Sequence, residues 1–102
     1  MIISSQRHID NSIVDTKAAS CDFDVFVSPE FVFEGGIYQV VLDGHHSLEA
    51  AKQTGNNPVF IELDASEHDA ILLLDDNRAN DFLTTTAMDS DYYDISTGLY
   101  IW

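Results

Sequence analysis

Two adjacent imidazoles, His45 and His46, follow Asp43-Gly44 and precede Ser47 within "QVVLDGHHSLEAAKQTG". Such residues can hold an anion, pass a proton near neutral pH or ligate a metal, because each neutral ring carries one donor and one acceptor nitrogen. An apolar run, Val40–Leu42, leads into the turn, and a helix is expected to start near His46 or Ser47. A strand, a glycine turn and the donor-rich N-terminal end of a helix make an anion site even without a basic side chain. In that arrangement Gly44 permits close approach, Asp43 orients a histidine or caps the helix, and His45, His46 and Ser47 face the ligand.

Three readings stay open at this point. The histidines can be structural turn residues that hydrogen-bond backbone and Asp43. They can serve a nucleotide or phosphate site, with helix amides as the other donors. They can join a metal, with Asp43, one of the pair and a distant His8 or His68 as ligands. Zinc takes three or four ligands, and neighbouring histidines rarely both reach one ion. No metal is assigned.

The elements that must position this turn can be read from hydropathy and punctuation. "IISSQRHI" suits a first strand or an ordered arm. "DNSIVDTKAAS" is weakly helical, with Asp10 or Asn11 as its cap. "FDVFV", Phe23–Val27, has strand character and is broken by Ser28-Pro29. Glu30–Phe33 and Ile37–Leu42 read as a hairpin around Glu34-Gly35-Gly36. A helix follows through Leu48 and Ala51 to Gly55, which can end it in a left-handed conformation. "VFIEL" is a further strand. "SEHDAILLLDD" reads as a second helix capped by Ser66, with Ile71 and Leu74 toward the core. Asn77–Ala87 suits a short helix carrying Phe82 and Leu83. The aromatic end, with Tyr92, Tyr93, Tyr100 and Trp102, is expected to pack back onto the domain as a strand closing the sheet edge. One α+β domain spanning residues 1–102 is expected, a small mixed sheet with covering helices.

"DGHHSLEAAKQTG" followed by a strand resembles the signature segment of the ParB/sulfiredoxin superfamily, over Gln39–Leu63. It is most similar to the ParB-like branch with a D-G-H-H turn, to which the free serine kinase belongs. The resemblance implies a ParB/sulfiredoxin-like fold and a nucleotide-phosphate pocket at Asp43, Gly44, His45, His46 and Ser47, with residual phosphotransfer or hydrolysis. It implies ATP or CTP with Mg2+ as the cofactor, His45 and His46 as catalytic groups, and the upstream Glu30 as a base on a substrate hydroxyl. The bland reading of Glu30 and Glu34 is a pair of solvated edge acids. Ser47 stands where the family's turn ends in Arg, so a charged fork of donors is replaced by one hydroxyl. His45 stands where sulfiredoxins carry their reactive cysteine, and Cys21 lies far upstream.

Charge narrows the partners. Eighteen acids against four bases give a net charge of −14. Residues 62–102 alone hold ten acids and one base, Arg78, a net of −9. Such a field repels a phosphate backbone, so direct nucleic-acid binding is excluded. The partners that remain are a small phosphorylated ligand at the turn, or a basic protein met by an immunity, antitoxin or DNA-mimic type of module. An added edge strand also allows a homodimer. His68, among carboxylates, is expected at the surface. No apolar run is long enough to span a membrane, and "MIISSQRHID" lacks the apolar core of a signal peptide, so a cytoplasmic setting is expected.

Overall fold

Eight consecutive residues, Gly36–Asp43, form the strand around which the chain is assembled, and its Val40, Val41 and Leu42 are all buried. Three successive buried residues mean that both faces of the strand are covered, since neighbouring side chains in a strand point to opposite faces. A computed structural model describes residues 1–102. In chain order the elements are β1 (Ile2–Ser4), α1 (Asn11–Ala19), β2 (Asp24–Val27), β3 (Phe31–Phe33), β4 (Gly36–Asp43), α2 (His45–Thr54), β5 (Val59–Glu62), α3 (Ile71–Asp75), α4 (Ala79–Thr86) and β6 (Tyr93–Asp94).

The sheet order is β5-β2-β4-β1-β6, and β3 also pairs with β4. β4 runs parallel to β1 and antiparallel to β2 and β3, β5 is parallel to β2, and β6 is antiparallel to β1. The architecture is therefore a mixed α+β sheet. One face packs Ile3, Phe31, Val40 and Leu42 against Ile71 of α3 and Phe82 and Leu83 of α4. The other packs Val25, Val27 and Val41 against Leu48 of α2 and Ile95. Burial of apolar side chains on both faces is the main stabilising term, about 25 cal/mol per Å² removed from water. α1 lies against α2.

Local chemistry explains most element ends. Asp10 caps α1 by accepting the Ser12 amide. The hairpin turns at Glu34 (φ 47°) and Gly35 (φ 80°). Gly55 closes α2 at φ 71°, its amide bonding back to the last turn.

The second-helix expectation needs correction. Asp64, not Ser66, is the acceptor: its carboxylate takes the Ser66 amide and folds residues 64–70 into turns. Regular helix starts only at Ile71. His68 is half-buried rather than a surface residue, and its Nδ1 is enclosed without a partner. The aromatic end packs back in part: Tyr92 is buried, while Tyr100 stays 60% exposed. The Trp102 ring lies 5.3 Å from Phe33 and 5.1 Å from Tyr38, while β6 edges the sheet. No helix is long and apolar enough to cross a membrane.

Candidate functional site

β4 delivers the chain to Gly44, and α2 begins at His45, so both histidines belong to the helix rather than to the turn. That one-residue difference governs the geometry. Successive helix residues are rotated by about 100° from each other, so His45, His46 and Ser47 fan outward instead of converging.

Each finds a different neighbour. His45 is 6% exposed, and its Nε2 lies 2.5 Å from Ser4 Oγ in β1. His46 Nε2 accepts the backbone amide of Asp10, 3.2 Å away, tying the start of α2 to the start of α1. Ser47 is 1% exposed, and its hydroxyl faces Asp22 Oδ1 at 3.5 Å. An Arg at position 47 would have no room there.

Gly44 is required by its backbone, φ 91°, and by a close approach of a different kind from the one expected. A Cβ at this position would meet the Asp24 carbonyl oxygen at 2.5 Å and Val25 Cα at 3.0 Å. The Cβ side of Gly44 is thus filled by the β2 backbone. Asp43 is exposed; its carboxylate accepts the Gly44 amide at 2.7 Å and bonds neither histidine. No side chain caps α2.

The local field also opposes an anion. Lys17 pairs with Asp22 at 2.8 Å, and Asp22, Asp43 and Asp24 all act on Lys17 and hold its pKa above the ordinary value. Three carboxylates against one ammonium surround the helix start, where a phosphate would have to sit. Burial drives the His45 pKa down from 6.5 to about 4, with Asp43 and Asp89 opposing the fall and His46 adding to it. His45 is therefore neutral at pH 7.

Ser4 and His45 stand at the distance a nucleophile and its base would keep. Ser4, however, is 0% exposed, so no substrate carbonyl can reach its hydroxyl. The Ser4 hydroxyl also accepts the Gln6 amide at 3.1 Å, and His45 Nε2 is the one acceptor in reach of its own proton. The pair is a buried hydrogen bond that locks β1 to α2. Glu30 lies apart from all of this, on a cleft with Phe31, Val32, Leu74 and Asp75. It has no hydrogen bond to the histidines or to Ser47. No cluster of three or more His, Cys, Asp or Glu side chains could hold a metal ion.

Sequence reasoning missed Ser4, Asp10 and Asp22 as the partners of His45, His46 and Ser47. They lie 41, 36 and 25 residues upstream, and no local spacing marks such contacts.

Elsewhere the surface is divided by charge. Three clefts surround α3 and α4. One, of about 460 Å³, is lined by Phe33, Glu34, Leu83, Asp91, Tyr92 and Trp102. A second, of about 700 Å³, has Glu67 and Asp69 beside Ala70, Leu72 and Leu73. The third, of about 440 Å³, is the one that holds Glu30 and Asp75. None contains a Lys or Arg. A fourth and smaller cleft, on the other face, is lined by Arg7, Lys52 and the His45 ring. Neither family models, curated proteins nor solved structures contain a match to this chain.

Proposed function

We propose that the chain is a non-catalytic interaction module that binds a basic protein segment through its α3–α4 face. The observation that carries this reading is the lining of the three clefts there. Apolar residues (Phe33, Leu72, Leu73, Val32) line them together with acids (Glu34, Asp91, Glu67, Asp69, Glu30, Asp75), and no Lys or Arg lines any of the three. Apolar side chains set among carboxylates suit a partner that presents alternating apolar and Lys or Arg side chains. The apolar groups would supply affinity, and the charges orientation and association rate. Immunity, antitoxin and DNA-mimic proteins work in this general way, and the net charge of −14 fits that class.

A nucleotide or phosphate bound at Asp43–Ser47 is the second reading. It rests on the uncapped first turn of α2 and on the ParB/sulfiredoxin likeness of Gln39–Leu63. Against it stand the Asp43 carboxylate on the Gly44 amide and the buried Ser47 hydroxyl.

Amide shift mapping separates the two. A short amphipathic Lys/Leu peptide titrated into the labelled protein should move signals in residues 30–34, 67–75 and 80–91. The effect should weaken with salt and in the Glu67→Gln/Asp69→Asn/Asp75→Asn variant. Equal shifts around Asp15, Asp22 and Asp24 would reduce the interaction to unspecific charge attraction and overturn the proposal. Mg2+ with ATP or CTP, added separately, should leave Gly44–Ser47 unmoved; saturable shifts there would favour the nucleotide reading.

A further inference from the structure

The chain has four Lys and Arg residues against eighteen acids. With that excess, each cation could be expected to find a carboxylate. Lys17 does, pairing with Asp22, and Arg78 does, pairing with Asp81. Arg7 and Lys52 do not. Both instead donate to backbone carbonyls, Arg7 Nη2 to Gly98 at 2.6 Å and Lys52 Nζ to Ile95 at 3.2 Å. The two unpaired cations line the same cleft, of about 150 Å³, between the end of β1, α2 and the loop after β6.

Arg7 is held in place before any ligand arrives. Its guanidinium lies 3.7 Å from the Tyr93 ring centre and 4.6 Å from that of Tyr100. Stacking on aromatic faces and one carbonyl bond fix the plane of the guanidinium while most of its five donors stay free. Lys52 likewise spends one of three donors. His45 adds a third group to this wall. The buried Ser4 hydroxyl contacts only the Gln6 amide, which is a donor, and His45 Nε2, so its own proton is satisfied only by donation to Nε2, which places the ring proton on Nδ1. His45 Nδ1 has no partner in the chain. The one enclosed, unpartnered side-chain polar atom of the protein is His68 Nδ1, so His45 Nδ1 is in reach of solvent.

We propose that this cleft is a binding site for a small oxyanion, a carboxylate or a phosphate monoester head, held by Arg7, Lys52 and His45 Nδ1–H. The donors set the ligand class. Arg7 and Lys52 are two cations without a carboxylate partner, and Glu49 is the one acid among the cleft's lining residues. A volume of about 150 Å³ admits a carboxylate or phosphate group but not a nucleotide base with its sugar. The site is separate from the α3–α4 face, and it shares His45 with the start of α2 but is lined by none of Asp43, Gly44, His46 or Ser47.

Binding should be visible at His45 itself. The groups facing its ring region are Arg7, Glu49 and Lys52 from the cleft, together with Asp43, His46 and Asp89. An anion at Nδ1 favours the protonated ring, so saturation should raise the His45 titration midpoint. The test follows the His45 ring signals of the intact protein at constant ionic strength during separate titrations with sodium acetate, sodium phosphate and sodium chloride. Saturable shifts with acetate or phosphate, absent with chloride, are the expected result. A response to acetate alone assigns the site to carboxylates, to phosphate alone to phosphoryl groups, and to both to small oxyanions generally. Lys52→Met and Arg7→Gln should each weaken binding tenfold or more, while Lys17→Gln, on a cation outside the cleft, should leave it unchanged. If all three salts act alike, or if Lys52→Met and Lys17→Gln have the same effect, the proposal fails. The peptide titration at the α3–α4 face has a different readout, so either result stands without the other.

Discussion

Replacing His45 by glutamine keeps an amide within reach of Ser4 Oγ and removes the only titration at that position. In the folded chain, burial lowers the His45 pKa from 6.5 to about 4. The unfolded imidazole takes up a proton as the pH falls through 6.5, and the folded one only near 4. Between those values the unfolded state binds more protons, so stability is lost as the solution is acidified. Above pH 6.5 the effect vanishes. At 1.36 kcal/mol per pKa unit the full difference is about 3 kcal/mol, of which about 1.4 should be lost by pH 5.5 and about 2.5 by pH 4.5.

Other groups contribute, but in a different window or equally in both proteins. Asp10, Asp22, Asp64, Asp89 and Asp94 have carboxyl pKa values held below 3.8 by hydrogen bonds, so the stability they add is lost only as the pH falls below that range. Relief of self-repulsion as carboxylates protonate affects both proteins alike. The assay is urea unfolding of wild type and His45→Gln at pH 7.5, 6.5, 5.5 and 4.5. The glutamine variant should be less stable at pH 7.5, by about 1 kcal/mol for an imperfect fit in a buried site. Its disadvantage should shrink and then reverse as the pH falls, the difference between the two proteins changing by about 2.5 kcal/mol between pH 7.5 and 4.5. Parallel curves would refute the reasoning, because they would mean that His45 titrates alike in both states and is not buried as a neutral ring.

Two further substitutions probe the corner. Gly44→Ala forces a Cβ onto the Asp24 carbonyl at a φ of 91°, and thermal or urea unfolding should show a loss of about 2 kcal/mol or more. Ser47→Arg, which supplies the residue that ends the turn in the ParB-like D-G-H-H-R pattern, places a long cation at a site that is 1% exposed. It should destabilise the chain by at least about 3 kcal/mol and create no phosphate affinity by calorimetry.

Hydropathy and punctuation by themselves determine the order of elements, because those signals act over a few residues. The Asp10 cap, the Gly35-Gly36 hairpin, the β4 run and the Gly55 stop depend on neighbours in the chain, and all appear where they are expected. The helix after Val59–Glu62 begins later than expected because Asp64 accepts both the amide and the hydroxyl of Ser66, and sequence alone does not say which of the two side chains becomes the acceptor. The direction of each side chain at Asp43–Ser47 was a tertiary decision. Starting α2 at His45 turns three adjacent polar residues toward three different elements, and only packing determines that those are β1, α1 and the loop before β2. The same applies to Arg7 and Lys52, 45 positions apart in the chain. Nothing local joins them, and they share a cleft because β1 and α2 are brought together by the sheet between them.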